Sequence, residues 1–227
     1  MPAWNTSKMD PTTGFVNLLD TRYETIDKSR NFFSKFRRIA YNEESGWFEF
    51  TFDYSDFNAR AEGTRTKWTL CTQGERIITF RNPVKNSEWD NRKVVLTDEF
   101  KQFFDEHGID IHGNLKEQIT VRSDKPFFEG LYRLLKLTLQ MRNSITGIDE
   151  DYLISPVMNA DGKFYDSRTC GDELPTNADA NGAYNIARKG LWVLRQIREA
   201  QDLKKVELAI RNKEWMQFAQ EKPYLND

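Results

Sequence analysis

Histidine and cysteine are scarce in this 227-residue chain, two of each, and their scarcity removes whole classes of chemistry. Ser–His or Cys–His nucleophilic catalysis has almost no raw material. A zinc ribbon needs four ligands, usually in two closely spaced pairs, whereas Cys71 and Cys170 stand far apart. Both read as free thiols, buried or half-buried, and a cytosolic chain would keep them reduced. His107 and His112, around Gly108-Ile109-Asp110-Ile111, suit a turn after a helix better than a metal site. Long apolar runs are missing too. No stretch approaches the ~20 residues of a membrane-spanning helix, and no basic segment followed by an apolar run marks the N-terminus as secretory. A cytoplasmic protein without a membrane partner is expected. Positive charge is not in excess either: 33 Lys and Arg face 35 Asp and Glu, a net charge of −2. Free-standing nucleic-acid binders are usually basic, because neutralising phosphates releases counterions. Contact with nucleic acid would therefore rest on a local patch or on the field of a larger molecule.

What remains is the composition of a folded domain, 38% apolar, 30% charged and 13% aromatic, with no internal repeat and no low-complexity segment. A short strand is expected over 14–19. Phe32, Phe33, Phe36 and Ile39 recur at helical spacing within Thr25–Ile39, on a helix with a basic side of Arg30, Lys35, Arg37 and Arg38. In Trp47–Tyr54 the period becomes two, as in a half-buried strand. Lys67–Thr72 and Arg76–Asn82 resemble a hairpin around Gly74, with a further strand at Lys93–Leu96. Thr97 can cap a helix that Gly108 ends. A second long helix follows Ser123-Asp124-Lys125-Pro126 and runs through Leu139 to Arg142. Tyr152–Val157 and Lys163–Arg168 look like strands paired across the turn Asn159-Ala160-Asp161-Gly162. Gly182 opens a helix with Ala183, Ile186, Ala187, Leu191, Leu194 and Ile197 on one face. A strand-like Val206–Ile210 and a helix over Asn212–Gln220 close the chain. The fold class is α+β.

Three segments could carry chemistry. Asp179 sits among small residues in Asn177-Ala178-Asp179-Ala180-Asn181-Gly182, at a helix start. Two-metal phosphodiester hydrolysis needs carboxylates from separate segments to hold ions ~3.5–4 Å apart, and such a position can contribute one. An acid there is equally an ordinary N-cap. Arg142, with Asn143 and Ser144 at the end of the long helix, could grip a phosphate through its guanidinium fork. It could equally offset the helix dipole. The run Asp149-Glu150-Asp151 reads as a metal site or, more simply, as a solvated acidic loop.

Longer strings narrow these choices. Asp179 through Gly190 closely resembles the last RuvC motif of type V-A CRISPR RNA-guided DNA endonucleases. Leu139 to Ser144, with Thr146-Gly147 and Asp151 to Val157, resembles the heart of their Nuc domain. The likeness extends in order to Pro2-Ala3-Trp4, Thr6-Ser7-Lys8, Gly14-Phe15-Val16, Phe48–Tyr54, Phe80-Arg81-Asn82, Phe164–Arg168 and Asn212-Lys213-Glu214-Trp215. The resemblance implies a Nuc domain of antiparallel strands with flanking helices over 1–178. The C-terminal helices of an incomplete RNase H/RuvC-like domain would then occupy 179–227. It also implies that Asp179 is the third carboxylate of the RuvC-like site, a ligand for catalytic Mg2+ (which Mn2+ could replace). Arg142 would assist cleavage at substrate phosphate, with Ser144 and Asp151 lining the same cleft. Implied partners are target and single-stranded DNA, a guide RNA held by upstream lobes, and the remainder of a bacterial effector chain. The family's first two RuvC carboxylates lie upstream of everything matched here. A C-terminal fragment, nearly inactive alone and exposing an apolar helix face, is therefore expected. The competing readings are a non-catalytic module that positions single strands, and a purely structural domain packed on RuvC.

Overall fold

The alternation in Trp47–Asp53 builds the central strand, β2, and turns Phe48, Phe50 and Phe52 fully inward. The computed structural model describes residues 6–57, 66–85, 87–145, 150–206 and 208–220. Within them β2 is flanked antiparallel by β1 (Arg38–Asn42) and β3 (Lys67–Cys71). Helices α1 (Ile26–Ser34), α3 (Leu96–Glu106) and α5 (Lys125–Thr138) pack their apolar stripes on this sheet, and α2 (Tyr54–Phe57) follows β2 directly. Their rings interlock. Phe36 meets Phe50 and Phe52 edge-on, both at 5.7 Å, and Phe33 stacks with Phe128 at 6.1 Å. Aromatic pairs in these geometries add to the burial of their surface, the main stabilising term here. A short helix, α4 (Leu115–Thr120), closes the core through Leu115 and Ile119. Cys71 is buried and Cys170 half-buried, both free.

Several expected elements move. The first helix stops at Ser34, because Ile39 is needed opposite Phe50 in the β1–β2 ladder. Residues 14–19 form no strand; Phe15 packs edge-on against Trp68 at 5.1 Å, and Val16 O accepts the Tyr54 hydroxyl. The 67–82 segment is not a hairpin. β3 completes the first sheet, while β4 (Glu75–Arg81) pairs with β5 (Trp89–Val95). Gly74, at φ +77°, turns the chain between the two sheets. Thr97 does not cap α3, which already starts at Leu96; its hydroxyl donates to Thr72 O at 2.7 Å. Gly108 does end that helix, at φ +62°. Asp124 caps α5, accepting from Phe127 N, and the helix stops at Thr138. Arg142 therefore lies on a strand rather than at a helix end.

A third sheet joins β6 (Arg142–Ile145), β7 (Glu150–Met158) and β8 (Phe164–Asp166), all antiparallel. The β7–β8 turn is the expected Asn159–Gly162, its Asn159 side chain accepting from Asp161 N and Lys163 N. Helix α6 (Ala178–Glu199) starts before Gly182, because Asn177 caps it through Ala180 N at 2.8 Å. Its buried residues are mostly polar. Asn181 Nδ2 donates to Met9 O and Asn185 Nδ2 to Thr6 O, while Arg188 donates to Ala219 O on α7 (Asn212–Gln220). The apolar Ile186, Leu191, Leu194 and Ile197 face solvent. Met9, Val16, Trp215 and Phe218 form a separate apolar cluster beside the polar face. No strand occupies the described part of 206–210. No described helix is long and apolar enough to cross a membrane.

Gly74 and Gly46 have nearly the same backbone, φ +77° and +76°, but different surroundings. A Cβ on Gly74 would run into Ile154 Cδ1 of β7, whereas one on Gly46 meets nothing within 4 Å. Gly46→Ala should cost about 1 kcal/mol of backbone strain, and Gly74→Ala about 2–4 kcal/mol once overpacking is added. Thermal or urea melts of the two variants check this. Equal losses would mean that the sheet junction is not closely packed.

Candidate functional site

Strand alternation sets the site. In the β6–β7 ladder Ser144 pairs with Asp151 and Arg142 with Leu153. Arg142 and Ser144, two residues apart, share a face, and both are exposed. From there the Arg142 guanidinium forks onto Asp151, Nε to Oδ1 at 2.9 Å and Nη2 to Oδ2 at 3.1 Å. Their side chains remain 49% and 27% exposed, so the pair is open to a competing anion. The structure thus brings Arg142, Ser144 and Asp151 together. The helix-dipole explanation of Arg142 falls, since it opens a strand.

Asn143 points the other way and is fully buried. Its Oδ1 accepts from Ile77 N of β4 and from Gln140 Nε2, each at 3.0 Å, and Gln140 Nε2 also donates to Ile77 O. These bonds tie β6 to the β4–β5 hairpin. Beneath them Tyr152 is buried, with the Arg168 guanidinium 4.1 Å from its ring centroid. Arg168 in turn forks onto Asp166 and reaches Glu75 at 3.5 Å. Arg76, with no exposed surface, completes the layer; burial pushes its pKa down to about 10.

Beside Arg142 lies a cleft of about 390 Å³, lined among others by Lys8, Asn17, Lys136, Gln140 and Arg142. Three cations and no carboxylate line it. Lys8 and Lys136 form no ion pair with any described residue. Neither lysine is among the expected site residues: Lys8 belongs to the string Thr6-Ser7-Lys8 that carries the resemblance, and Lys136 has no sequence signal. A single lysine near a helix end is ordinary, and only the fold sets residues 8, 136 and 142 side by side.

Asp179 occupies the first turn of α6, where the helix dipole favours an anion. Because Asn177 supplies the cap, Asp179 is not the N-cap residue. It is exposed and makes no hydrogen bond or ion pair with the described residues. Its neighbour Ala178 is buried with Met141, Leu153 and Tyr165, so this turn sits close to the β6–β7 ladder. Among the described residues no group of three His, Cys, Asp or Glu could hold a metal. One carboxylate does not suffice for a two-metal site, and none is assembled from this chain's described residues. The acidic run does not provide one: Asp149 is outside the described residues, Glu150 pairs with Lys93, and Asp151 with Arg142. His107 and His112 are engaged by Phe103 O and Glu43.

An open arginine–carboxylate fork beside a cleft lined by three cations can accept an anion. A family model described as a nuclease domain, Nuc, matches residues 9–169, more than two thirds of the chain. The chain belongs to this family, the Nuc domain of type V-A CRISPR effectors. Arg142, Ser144 and Asp151 fall inside the match; Asp179 lies beyond it.

The ion pair beneath the site has a definite pH signature. Burial raises the pKa of Asp166, but the hydrogen bonds and charge of Arg168 outweigh it, and the carboxyl is held below its ordinary range. A depressed folded-state pKa stabilises the fold above the unfolded value of ~3.9 and stops doing so as pH falls through the folded one. Asp166→Asn should therefore cost about 1–2 kcal/mol at neutral pH and next to nothing at the acid end. Urea melts of both proteins across that range check the sign. A deficit independent of pH would count against the pair.

Proposed function

We propose that this chain is the Nuc domain and last RuvC segment of a CRISPR RNA-guided DNA endonuclease. In this reading residues 1–178 form Nuc and 179–227 belong to RuvC. Nuc presents single-stranded DNA, held by phosphates in the cleft of Lys8, Lys136 and Arg142. Asp179 is offered to the phosphodiester-cleaving centre as one of its carboxylates. The observation that carries this reading is the juxtaposition itself. A cationic cleft without carboxylates lies beside Arg142, and an uncommitted acid lies one residue from Ala178, which packs on the neighbouring Met141. A strand crossing the cleft would exchange the Asp151 carboxylate on Arg142 for a phosphate oxygen, a bidentate partner of the same geometry. Ser144 and Asp151 then line the path and keep the guanidinium in plane until the strand arrives.

Asp179 would help hold Mg2+, or Mn2+ in its place, together with carboxylates from elsewhere in the effector. When bound, such ions polarise phosphate oxygens and activate water. The exposed apolar residues of α6 would be covered by the remainder of the effector chain, and guide RNA would be held by other lobes. A bacterial cytoplasmic setting goes with this reading. The alternative, a positioning module with no ligand of the catalytic ions, is favoured by the place of Asp179 in the first turn of α6, where the helix dipole suits an acid without any metal.

Substitution in the complete effector separates the two. Asp179→Ala should abolish cutting of both DNA strands while guided binding persists, and Arg142→Ala should slow cutting roughly 10²-fold. The isolated 227-residue chain should leave labelled single-stranded DNA intact with magnesium or manganese. Full cutting by the Asp179→Ala effector would leave only the positioning role. Efficient cutting by the isolated chain would contradict the shared-site reading.

A further inference from the structure

The β4–β5 hairpin carries its own conspicuous chemistry at the end farthest from the core. Trp89 is 59% exposed, although a tryptophan ring gains more from burial than almost any other side chain. Opposite it in the ladder stands Arg81, its guanidinium 5.0 Å from the ring centroid. With one face of the indole under Arg81, the exposed area belongs to the rest of the ring. Phe80, next to Arg81, is 38% exposed.

Strand alternation places Glu75, Ile77, Thr79 and Arg81 on one face with Trp89, Asn91, Lys93 and Val95. Inward on this face Glu75 pairs with Arg168 and Lys93 with Glu150, while the outer end, Thr79, Arg81, Trp89 and Asn91, holds one cation and no carboxylate. Asp90 lies on the opposite face, bonded to Asn82. The same face runs inward to Ile77, which is bonded to Asn143 and to Gln140, a residue that lines the cleft. Arg81 lies four positions beyond Ile77 on the strand, ~13 Å at the usual rise. A rigid strand therefore joins the cationic cleft to the exposed indole.

We infer that Trp89 and Arg81 form a stacking platform for unpaired bases of a strand whose phosphates occupy the Lys8–Lys136–Arg142 cleft. This rests on the single-strand reading above and extends it to a second contact. Bases stack on aromatic rings whatever their identity, and arginine over the ring adds a cation–π contribution. The neighbours decide against a protein partner. Thr79, Asn91 and Arg81 are polar or cationic, whereas the buried centre of a protein interface is depleted in charge. An indole ringed by such groups matches a nucleotide, with an apolar base and an anionic backbone.

The test is anisotropy titration of labelled oligothymidylate, and of an abasic strand of equal length, with the 227-residue chain at low salt. Trp89→Ala should weaken oligothymidylate binding about 5- to 100-fold and Trp89→Phe by less than about 3-fold. The abasic strand should not distinguish wild type from Trp89→Ala, because it offers phosphates without bases. Arg142→Ala should weaken both strands. Near-equal melting temperatures of the variants provide the folding control, and Trp89→Phe keeps a ring in place. If Trp89→Ala binds oligothymidylate like wild type while Arg142→Ala does not, the platform is overturned and the cleft stands. An equal loss on both strands from Trp89→Ala also overturns stacking. Failure of wild type to bind either strand overturns both readings.

Discussion

A buried primary amide holds the site together. Asn143 has no exposed surface, so every hydrogen bond it forgoes would cost desolvation without return. It is bonded at both ends, Oδ1 to Ile77 N and to Gln140, Nδ2 to Met141 O. From that single inward residue the alternation of β6 follows, and Arg142 and Ser144 are turned outward toward Asp151. The same amide clamps β4, which sets the direction of the hairpin. A one-residue slip of β6 would bury Arg142 and expose Asn143, an expensive exchange for both. The register is therefore strongly specified, and the guanidinium starts from one place.

Net charge concealed the cationic cleft. A chain of net −2 has no global field to attract DNA, and acids and bases are interleaved along most of it. The fold collects Lys8 from the first turn, Lys136 from the last turn of α5 and Arg142 from β6 into one cleft with no acid. Of the three, Arg142 is itself paired with Asp151, and elsewhere cations meet acids in pairs such as Arg37–Asp56, Arg92–Glu99 and Arg168–Asp166. A modest patch of this kind guides a strand already brought close. It does not recruit one from bulk solution at high salt.

Elements with strong periodicity were legible beforehand. The phenylalanines of β2, the start of α5, the β7–β8 turn and the last helix stand where spacing put them. What escaped was pairing. Nothing local tells β3 to pair backward with β2 and β4 forward with β5; the Thr72–Thr97 and Asn143–Ile77 bonds that decide it span distant segments. Arg142 was grouped with a helix because Leu139 and Met141 continue the apolar run past Thr138. In α6 the periodicity was real, but its apolar stripe faces outward while Asn181, Asn185 and Arg188 face the protein. Helical spacing identifies a stripe and not its partner, and this chain supplies the polar stripe with carbonyl acceptors from Thr6 and Met9. Asp179 was found through string similarity; its freedom from capping needed the structure, which gives that task to Asn177.

The most direct measurement is the salt dependence of single-stranded DNA affinity for the chain and for a Lys8→Ala/Lys136→Ala/Arg142→Ala variant. Each phosphate neutralised contributes ~0.7 to the slope of log affinity against log salt on a single strand. If a strand's backbone lies in this cleft, the triple variant should lose about 2 units of slope along with affinity. An unchanged slope would mean that these cations do not meet phosphate, and the cleft beside Arg142 would not be where DNA runs.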